Sequence, residues 1–181
     1  MSSVCSRVAR TLALVTIVAW LLAVPVTAFA QSGASGPANA SSGLGYVFAG
    51  FGAATCCGES TATYQVGGGG EAIFADAVGV GAEIGYLNSF EQGSEGIGVL
   101  SVNGTYHFGG GQPARKARPF VTGGYTLGFR DGHANLFNLG GGVDYWLKPK
   151  VGLRIEFRDH IWTSGGDTTQ FWGVRAGVTF R

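Results

Sequence analysis

Apolar and polar side chains alternate through much of this chain, and the alternation is clearest between residues 137 and 162. In the second half of that stretch apolar residues alternate with polar ones and glycine, in the order Val151, Gly152, Leu153, Arg154, Ile155, Glu156, Phe157 and Arg158. A period of two places every charge on one side of a pleated strand. Because Pro149 separates this run from a similar one before it, the stretch predicts two strands joined by a tight turn.

The same period recurs along the chain and predicts eight strands. Their expected bounds are 44–53, 62–74, 78–87, 97–108, 119–129, 137–147, 151–162 and 170–181. Polar or glycine-rich loops are expected at 55–60, 88–96, 109–118, 130–136 and 163–169. The four glycines at 67–70 are a candidate bulge. Most of these strands are about ten residues long, the length with which a tilted strand crosses a membrane.

Composition favours a membrane setting for the predicted sheet. Glycine accounts for 33 of the 181 residues and charged residues for only 13%, about half of their share in an ordinary soluble domain. Beyond residue 30 no segment is continuously apolar for long enough to form a spanning helix, so strands would carry the lipid-facing surface. The sequence therefore predicts an all-β fold, an eight-stranded antiparallel up-and-down transmembrane β-barrel.

The first 30 residues have the three-part layout of a signal peptide. Two arginines precede an apolar core at 12–24, Pro25 ends that core, and small residues lead to an expected cleavage between Ala30 and Gln31. The apolar core is shorter than the roughly 20 residues of a spanning helix. The expected organisation is a signal peptide at 1–30, a flexible lead-in at 31–43 and a barrel domain at 44–181.

Closure into a barrel would turn the apolar face of each strand toward lipid. On this basis Tyr46 is expected on the outward face of the first strand, together with Leu44 and Phe48, which share its face. Aromatic residues near the strand ends predict two interfacial girdles. They are Tyr46, Phe74, Tyr106, Phe108, Tyr145 and Phe180 at one end, and Tyr64, Tyr86, Phe129, Phe137, Phe157 and Trp172 at the other.

The polar faces would carry their charged residues into the lumen. Eight strands enclose a space only wide enough to be filled by side chains, and buried charges must be paired. We therefore predict an ion-pair network that plugs the lumen, formed by Glu71, Glu83, Asp144, Arg154, Glu156, Arg158 and Arg175. In the alternative arrangement these groups line an open pore and steer ions, for which eight strands leave little room.

Charge and cysteine content exclude several other classes of protein. Without the leader the chain carries ten basic and eleven acidic residues, which excludes a nucleic-acid binder by bulk charge. The neighbouring Cys56 and Cys57 predict a loop pair, either reduced or joined in a strained ring, with metal or intermolecular pairing as the alternative. The glycine runs lack the helix and Lys-Ser/Thr of a phosphate cradle, so we expect no cofactor and no metal site.

Three segments, together with the eight-strand layout, resemble one family. These segments are GGGVDYWLKPKVGLRIEFRD, RPFVTGGY and the closing GVRAGVTFR, and they look like the bacterial outer-membrane β-barrel family of OmpA-like and OmpX-like proteins. The resemblance implies the outer membrane of a Gram-negative bacterium, contact with its lipid, and both termini in the periplasm. It also makes Phe180 a candidate C-terminal signal for the barrel-assembly machinery, although Arg181 follows where such barrels usually end in an aromatic residue.

The expected function is that of a non-enzymatic outer-membrane barrel that supports envelope integrity or surface interaction through its extracellular loops. One alternative is a lipid-modifying barrel enzyme, an acyl hydrolase. It would use His160 as base, Ser164 as nucleophile and Asp159 or Asp167 to orient the base. The spacing of these residues matches no recognised hydrolase motif. A second alternative is a soluble periplasmic β-barrel that binds an apolar ligand.

Overall fold

A computed structural model describes residues 42–75, 77–91, 95–109, 116–164 and 167–181. The predicted signal peptide, its cleavage point between Ala30 and Gln31, and residues 31–41 of the lead-in lie outside the described residues. Within the described ranges no helix is both long and apolar enough to cross a membrane.

The described residues form eight antiparallel strands in one closed sheet. The strands are β1 Ser42–Cys56, β2 Glu59–Phe74, β3 Val78–Ser89, β4 Ile97–His107, β5 Ala117–Phe129, β6 His133–Lys148, β7 Val151–Ser164 and β8 Asp167–Phe180. Each strand pairs with its neighbours in sequence, and β8 returns to pair with β1, with Phe180 opposite Gly45. The predicted up-and-down barrel is therefore confirmed.

Several strands run beyond their predicted ends. The loop predicted at 55–60 is wrong, because β1 and β2 continue until only Cys57 and Gly58 separate them. The loop predicted at 163–169 is wrong too, since only residues 165 and 166 separate β7 from β8, and the 130–136 loop shortens to 130–132. Polar side chains at these positions allow pairing, because the backbone N–H and C=O groups carry the ladder.

The backbone has two features that the sequence pattern did not predict, a tight turn at residues 57–58 and a shift of register near Pro149. Cys57 and Gly58 have φ of 55° and 85°, and positive φ at both central residues is the pattern of a type I′ hairpin turn. The glycine run at 67–70 pairs without interruption with β1 and β3, so the candidate bulge there is wrong. A shift of register occurs instead between Trp146 and Lys148, beside the turn at Pro149.

The outer surface of the barrel is apolar. Exposed aliphatic side chains come from all eight strands and include Val47, Val66, Ile84, Val102, Val121, Leu139, Ile155 and Val174. Among the twelve aromatic residues predicted in the two girdles, ten are exposed and Tyr64 is half-buried. A closed sheet with an apolar outside meets the requirement that every backbone polar group in lipid be paired internally.

The first strand departs from this rule, and the prediction for its apolar face is wrong. Leu44, Tyr46 and Phe48 point into the barrel and are at most 8% exposed. Glycines that lie opposite Tyr46 and Phe48 on the neighbouring strand β2 leave room for the two rings. A Cβ on Gly67 would lie 2.8 Å from Cζ of Phe48, and one on Gly69 would lie 2.9 Å from the hydroxyl oxygen of Tyr46.

Candidate functional site

All seven predicted lumen residues are buried inside the barrel, with exposures between 0% and 7%. They occupy inward positions on five strands, with Glu71 on β2, Glu83 on β3, Asp144 on β6, Arg154, Glu156 and Arg158 on β7, and Arg175 on β8. The alternation of β7 brings three of them onto one face, since residues two apart in a strand share a face. The lumen is therefore charged along β7 and β8.

Glu156 is the hub at which three guanidinium groups meet. Arg158 Nε donates to Glu156 Oε1 at 2.6 Å, and Arg175 Nη2 donates to Glu156 Oε2 at 2.9 Å. Arg154 Nε donates to the same Oε2 at 3.2 Å. One carboxylate thus accepts hydrogen bonds from three cations. Such pairing offsets the desolvation penalty of a charge that is buried in a medium of low dielectric.

A second contact crosses the lumen from β8 to β3. Arg175 donates from Nη1 to Glu83 Oε1 at 2.6 Å and from Nη2 to Glu83 Oε2 at 3.0 Å. This is the two-pronged geometry that suits a planar guanidinium and a carboxylate. Tyr46 completes the group by donating its hydroxyl to Glu83 Oε2 at 3.1 Å. Because β3 and β8 are not neighbours in the sheet, these bonds span the interior.

Toward the end of the barrel at which β1 begins and β8 ends, a histidine joins the network. His107 Nε2 lies 2.7 Å from Glu71 Oε1, and its Nδ1 lies 4.0 Å from Asp144 Oδ2. Asp144 also accepts from Arg154 Nη1 at 3.4 Å. The sequence pattern predicts that His107 lies on the polar face of its strand, but it does not identify Glu71 as the hydrogen-bond partner. The excess of four acids over three arginines among the predicted lumen residues was the signal for a further cationic or hydrogen-bonding group.

Aromatic rings cover the faces of two guanidinium groups. Arg154 Cζ lies 3.8 Å from the centre of the Phe120 ring and 4.6 Å from that of Tyr46. Arg175 Cζ lies 4.0 Å from the centre of the Phe48 ring. Edges paired with carboxylates and faces stacked on rings are the preferred surroundings of a desolvated arginine. The inward turn of Tyr46 and Phe48 is thereby explained.

A neutral polar layer lies beside the charged one. Arg158 Nη1 donates to Asn138 Oδ1 at 2.5 Å. The amide of Asn138 donates to Asn103 Oδ1 and Thr126 Oγ1, each at 2.9 Å, and Thr126 also bonds Ser101 at 2.8 Å. These side chains come from β4, β5, β6 and β7, so the hydrogen bonds link four consecutive strands of the sheet on the inside of the barrel.

The structure does not assemble the residues of the acyl-hydrolase alternative. His160 lies in β7, is 2% exposed and pairs through Nδ1 with Thr126 Oγ1 at 3.3 Å. Ser164 is exposed at the end of β7, where it lies opposite Asp167 in the ladder. Four strand residues span about 13 Å at 3.3 Å per residue, which is beyond the reach of a base on its nucleophile. Asp159 occupies the opposite parity of the strand from His160.

Three other predicted positions are also described. Cys56 ends β1 and Cys57 begins the turn, with their Sγ atoms 3.1 Å apart. Among the residues that the structure describes, no group of three or more His, Cys, Asp or Glu side chains could hold a metal ion. Phe180 is the last residue of β8, faces outward and lies opposite Gly45 and Val151.

A closed eight-stranded barrel with an apolar exterior and a filled polar interior defines an outer-membrane β-barrel protein. The comparison with protein families agrees, since the model of the outer membrane protein beta-barrel domain matches residues 16–180. The chain belongs to this family. It is a protein of the Gram-negative outer membrane, and its outer surface contacts lipid, so the soluble periplasmic alternative is set aside.

Solved structures share the fold at low sequence identity. Neisserial surface protein A is 12% identical with a TM-score of 0.58, and the match covers 78% of this chain and 98% of that one. The N-terminal β-barrel domain of Pseudomonas aeruginosa OprF is 18% identical with a TM-score of 0.51, over 75% and 96% of the two chains. OprG from the same organism is 14% identical with a TM-score of 0.51, over 77% and 96%. No curated protein sequence matches the chain significantly.

Proposed function

We propose that this protein is a non-enzymatic outer-membrane barrel whose lumen is plugged by the ion-pair network. It would serve envelope integrity or surface interaction through the connections at its outer end. The observation that carries the proposal is the convergence of Arg154, Arg158 and Arg175 on Glu156 in the middle of the lumen. The electrostatic contacts across the lumen favour a closed interior over an ion path.

The contacts that support closure join strands that are not neighbours in the sheet. Glu83 on β3 pairs with Arg175 on β8, and Glu71 on β2 pairs with His107 on β4. An open ion path through this section would require several of these buried pairs to separate, and removing a partner from a buried charge is strongly unfavourable. Eight strands offer no spare width around them.

Surface interaction in this proposal belongs to the end of the barrel opposite the termini. We place that end outside the cell, as the even number of strands and the family pattern suggest. Its connections are residues 57–58, 90–96, 130–132 and 165–166. Arg130 links two of them, because it forms an ion pair with Glu95 and donates from Nη1 to the Glu95 carbonyl at 2.7 Å. Such a link gives a binding surface some rigidity.

Two partners belong to this proposal. Outer-membrane lipid surrounds the apolar exterior, and the barrel-assembly machinery would recognise the end of β8 during biogenesis. Phe180 is the candidate signal there, since it is the outward-facing aromatic residue that ends the last strand. A Phe180→Ala variant should give less folded protein in the outer membrane than Val178→Ala, an outward-facing substitution two residues earlier. Equal amounts of the two variants would remove Phe180 from this role.

Conductance across a planar lipid bilayer tests the plug. The refolded wild-type barrel should insert without producing stable open channels. A steady ohmic current that scales with the amount of inserted protein would contradict the closed lumen. Glu59→Gln, a change at an exposed position beside the β1–β2 turn, serves as the control for inserted protein of altered charge and should be equally silent.

Lipid analysis tests the non-enzymatic part of the proposal. Outer-membrane lipids from cells that make the wild-type protein should have the same acyl composition by mass spectrometry as those from cells that lack it. A deacylated lipid that appears with the wild-type protein and disappears with Ser164→Ala would replace this proposal with the hydrolase. Loss of the gene is expected instead to raise the sensitivity of the cells to detergents.

A further inference from the structure

A cavity lies inside the barrel on the side of the charged network that is remote from the chain termini. It occupies about 300 Å³, including the part that opens to solvent, and its enclosed part holds about one or two water-sized groups. Three inward glycines line it. Gly52 lies directly opposite Gly173 across the β1–β8 pair, and Gly50 is their neighbour in the next row. Backbone forms this part of the wall, since a Cβ on any of the three would lie within 2.7 Å of a carbonyl oxygen of the neighbouring strand.

The register of the sheet places polar side chains around this cavity. Gly50 separates Arg175 on one side from Gln65 on the other, and Gly173 lies opposite Arg158 in the β7–β8 pair. His160 also lines the cavity. In the row that crosses β8, β1 and β2, Gly50 has no side chain and lies between two polar residues, Arg175 on β8 and Gln65 on β2.

Three nitrogen atoms of these lining residues have no hydrogen-bond partner among the described residues. They are Nε of Arg175, Nε2 of Gln65 and Nε2 of His160. The three side chains are each more than nine-tenths buried, with exposures of 3%, 7% and 2%. A buried polar group without a partner is costly, and all three of these groups can donate a hydrogen bond. The cavity therefore presents donors and calls for an acceptor.

The charge of the lining selects the kind of acceptor. Arg158 and Arg175 contribute to the wall, whereas no carboxylate is among the described residues that line the cavity. Their partners Glu83 and Glu156 pair with the guanidinium groups from outside the lining. A ligand in the cavity would thus meet two cations and three N–H donors before it meets an acid. Anions favour such surroundings.

We propose that this cavity is a binding site for a small monoanion such as chloride. The anion would accept hydrogen bonds from Arg175 Nε, Gln65 Nε2 and His160 Nε2. The ring proton of His160 is assigned to Nε2, with Thr126 donating to Nδ1, which is consistent with their 3.3 Å separation. The bound anion would tie β2, β7 and β8 together on the outer side of the network.

Equilibrium unfolding of the refolded barrel in detergent tests the site. Chloride is replaced stepwise by gluconate at constant sodium concentration, because gluconate is a monoanion that is too large for the enclosed part of the cavity. Binding to the folded state alone stabilises it as ligand is added, so the wild-type unfolding midpoint should rise with chloride. Gln65→Leu should weaken the apparent chloride affinity about tenfold, as expected for one hydrogen bond to a charged group.

A matched variant separates this site from general salt effects. Gln170→Leu makes the same chemical change at an exposed position of β8 and should keep the wild-type response. An equal midpoint in chloride and gluconate for the wild type would overturn the proposal, as would an equal chloride response in Gln65→Leu and the wild type. His160→Phe provides a second test of the same kind if Gln65→Leu does not refold.

Crystals of the wild-type protein grown in bromide give an independent result. An anomalous difference peak within hydrogen-bonding distance of Arg175 Nε and Gln65 Nε2 is expected. Its absence from the cavity in well-ordered crystals would overturn the proposal, since water would then satisfy these donors. Neither experiment depends on whether the barrel acts at the cell surface.

Discussion

Strands β1 and β7 are both amphipathic, but they turn opposite kinds of side chain toward the lumen. β7 presents Arg154, Glu156 and Arg158 to the interior and Leu153, Ile155 and Phe157 to lipid. β1 instead buries Leu44, Tyr46 and Phe48 in the interior. The two inward faces meet, since the guanidinium group of Arg154 stacks on the ring of Tyr46.

The difference shows that the barrel interior is not simply its polar side. Buried arginines favour aromatic surface against the faces of their guanidinium groups as well as carboxylates at their edges. β1 supplies two of these rings, Tyr46 and Phe48, and β5 supplies Phe120. Inward glycines on the strands beside β1 leave the room for its two rings. Small and apolar residues are sufficient on the outward face of β1, because a surface in contact with lipid needs only to lack unpaired polar groups.

The strongest way to break the β7 side of this comparison is Glu156→Gln. The change removes the charge that Arg154, Arg158 and Arg175 share and replaces one of the two acceptor oxygens by an NH2 group, which faces a guanidinium group as a second donor. Loss of one partner from a buried ion-pair network costs about 3–5 kcal/mol, and three affected arginines place this variant at the upper end. Urea unfolding of the barrel in lipid vesicles measures the loss.

Glu59→Gln is the matched control, because Glu59 is exposed at the start of β2. Its free energy of unfolding should differ from that of the wild type by less than about 0.5 kcal/mol. If Glu156→Gln were as stable as this control, the hub would have no structural importance.

The β1 side is broken by Phe48→Ala. Phe48 is 8% exposed and lies against the guanidinium group of Arg175, so truncation should cost about 3–5 kcal/mol through the cavity and the lost stacking. Phe51→Ala is the comparison on the same strand, since Phe51 is 72% exposed on the outside. Lipid can fill the space that this second change leaves, and its unfolding free energy should fall by clearly less. A larger loss of stability in Phe51→Ala than in Phe48→Ala would indicate that the face of β1 that carries Phe48 contacts lipid.

A smaller effect is expected from a charge on the outer face of β7. Ile155→Arg places a cation opposite Val143 and Ala176, near the middle of the strand, and should destabilise the barrel by about 2–4 kcal/mol if that position lies near the bilayer midplane. Val151→Arg, at the first residue of the strand, should cost about 0–1 kcal/mol because the side chain reaches the interface. Equal costs for the two variants would mean that β7 has no depth-dependent lipid contact.

The sequence was most informative where charge marked the inner face. In β6 and β7 the charged residues alternate with large apolar ones, so both the register and the facing direction could be predicted. In β1 the alternating set is aromatic and aliphatic with no charge, so the pattern showed two faces without showing which was inner. That choice depends on the glycines of β2 and β8, which only the paired register brings opposite Phe48 and Tyr46.

The site was predictable in its members and less so in its connections. Period two was enough to bring the seven charged residues into one lumen. The partnership of His107 with Glu71 depends on a contact over the intervening strand β3 between residues 36 positions apart. The cavity beside Arg175 is lined by Gly50, Gly52 and Gly173, which the β1–β8 pairing brings together. No local pattern contains these relations.

Contacts between methyl groups and lipid chains test the central claim most directly. The claim is that β7 turns its apolar residues to lipid, while the face of β1 that carries Leu44, Tyr46 and Phe48 points into the barrel, as does Ile73 of the neighbouring β2. Nuclear Overhauser effects are measured from detergent acyl chains to the methyl-labelled leucines and isoleucines of the refolded barrel. The account predicts clear effects at Leu153 and Ile155, which are 44% and 53% exposed, and none at Leu44 and Ile73, which are 4% and 2% exposed. Acyl-chain effects at Leu44 and Ile73 as strong as those at Leu153 and Ile155 would contradict it.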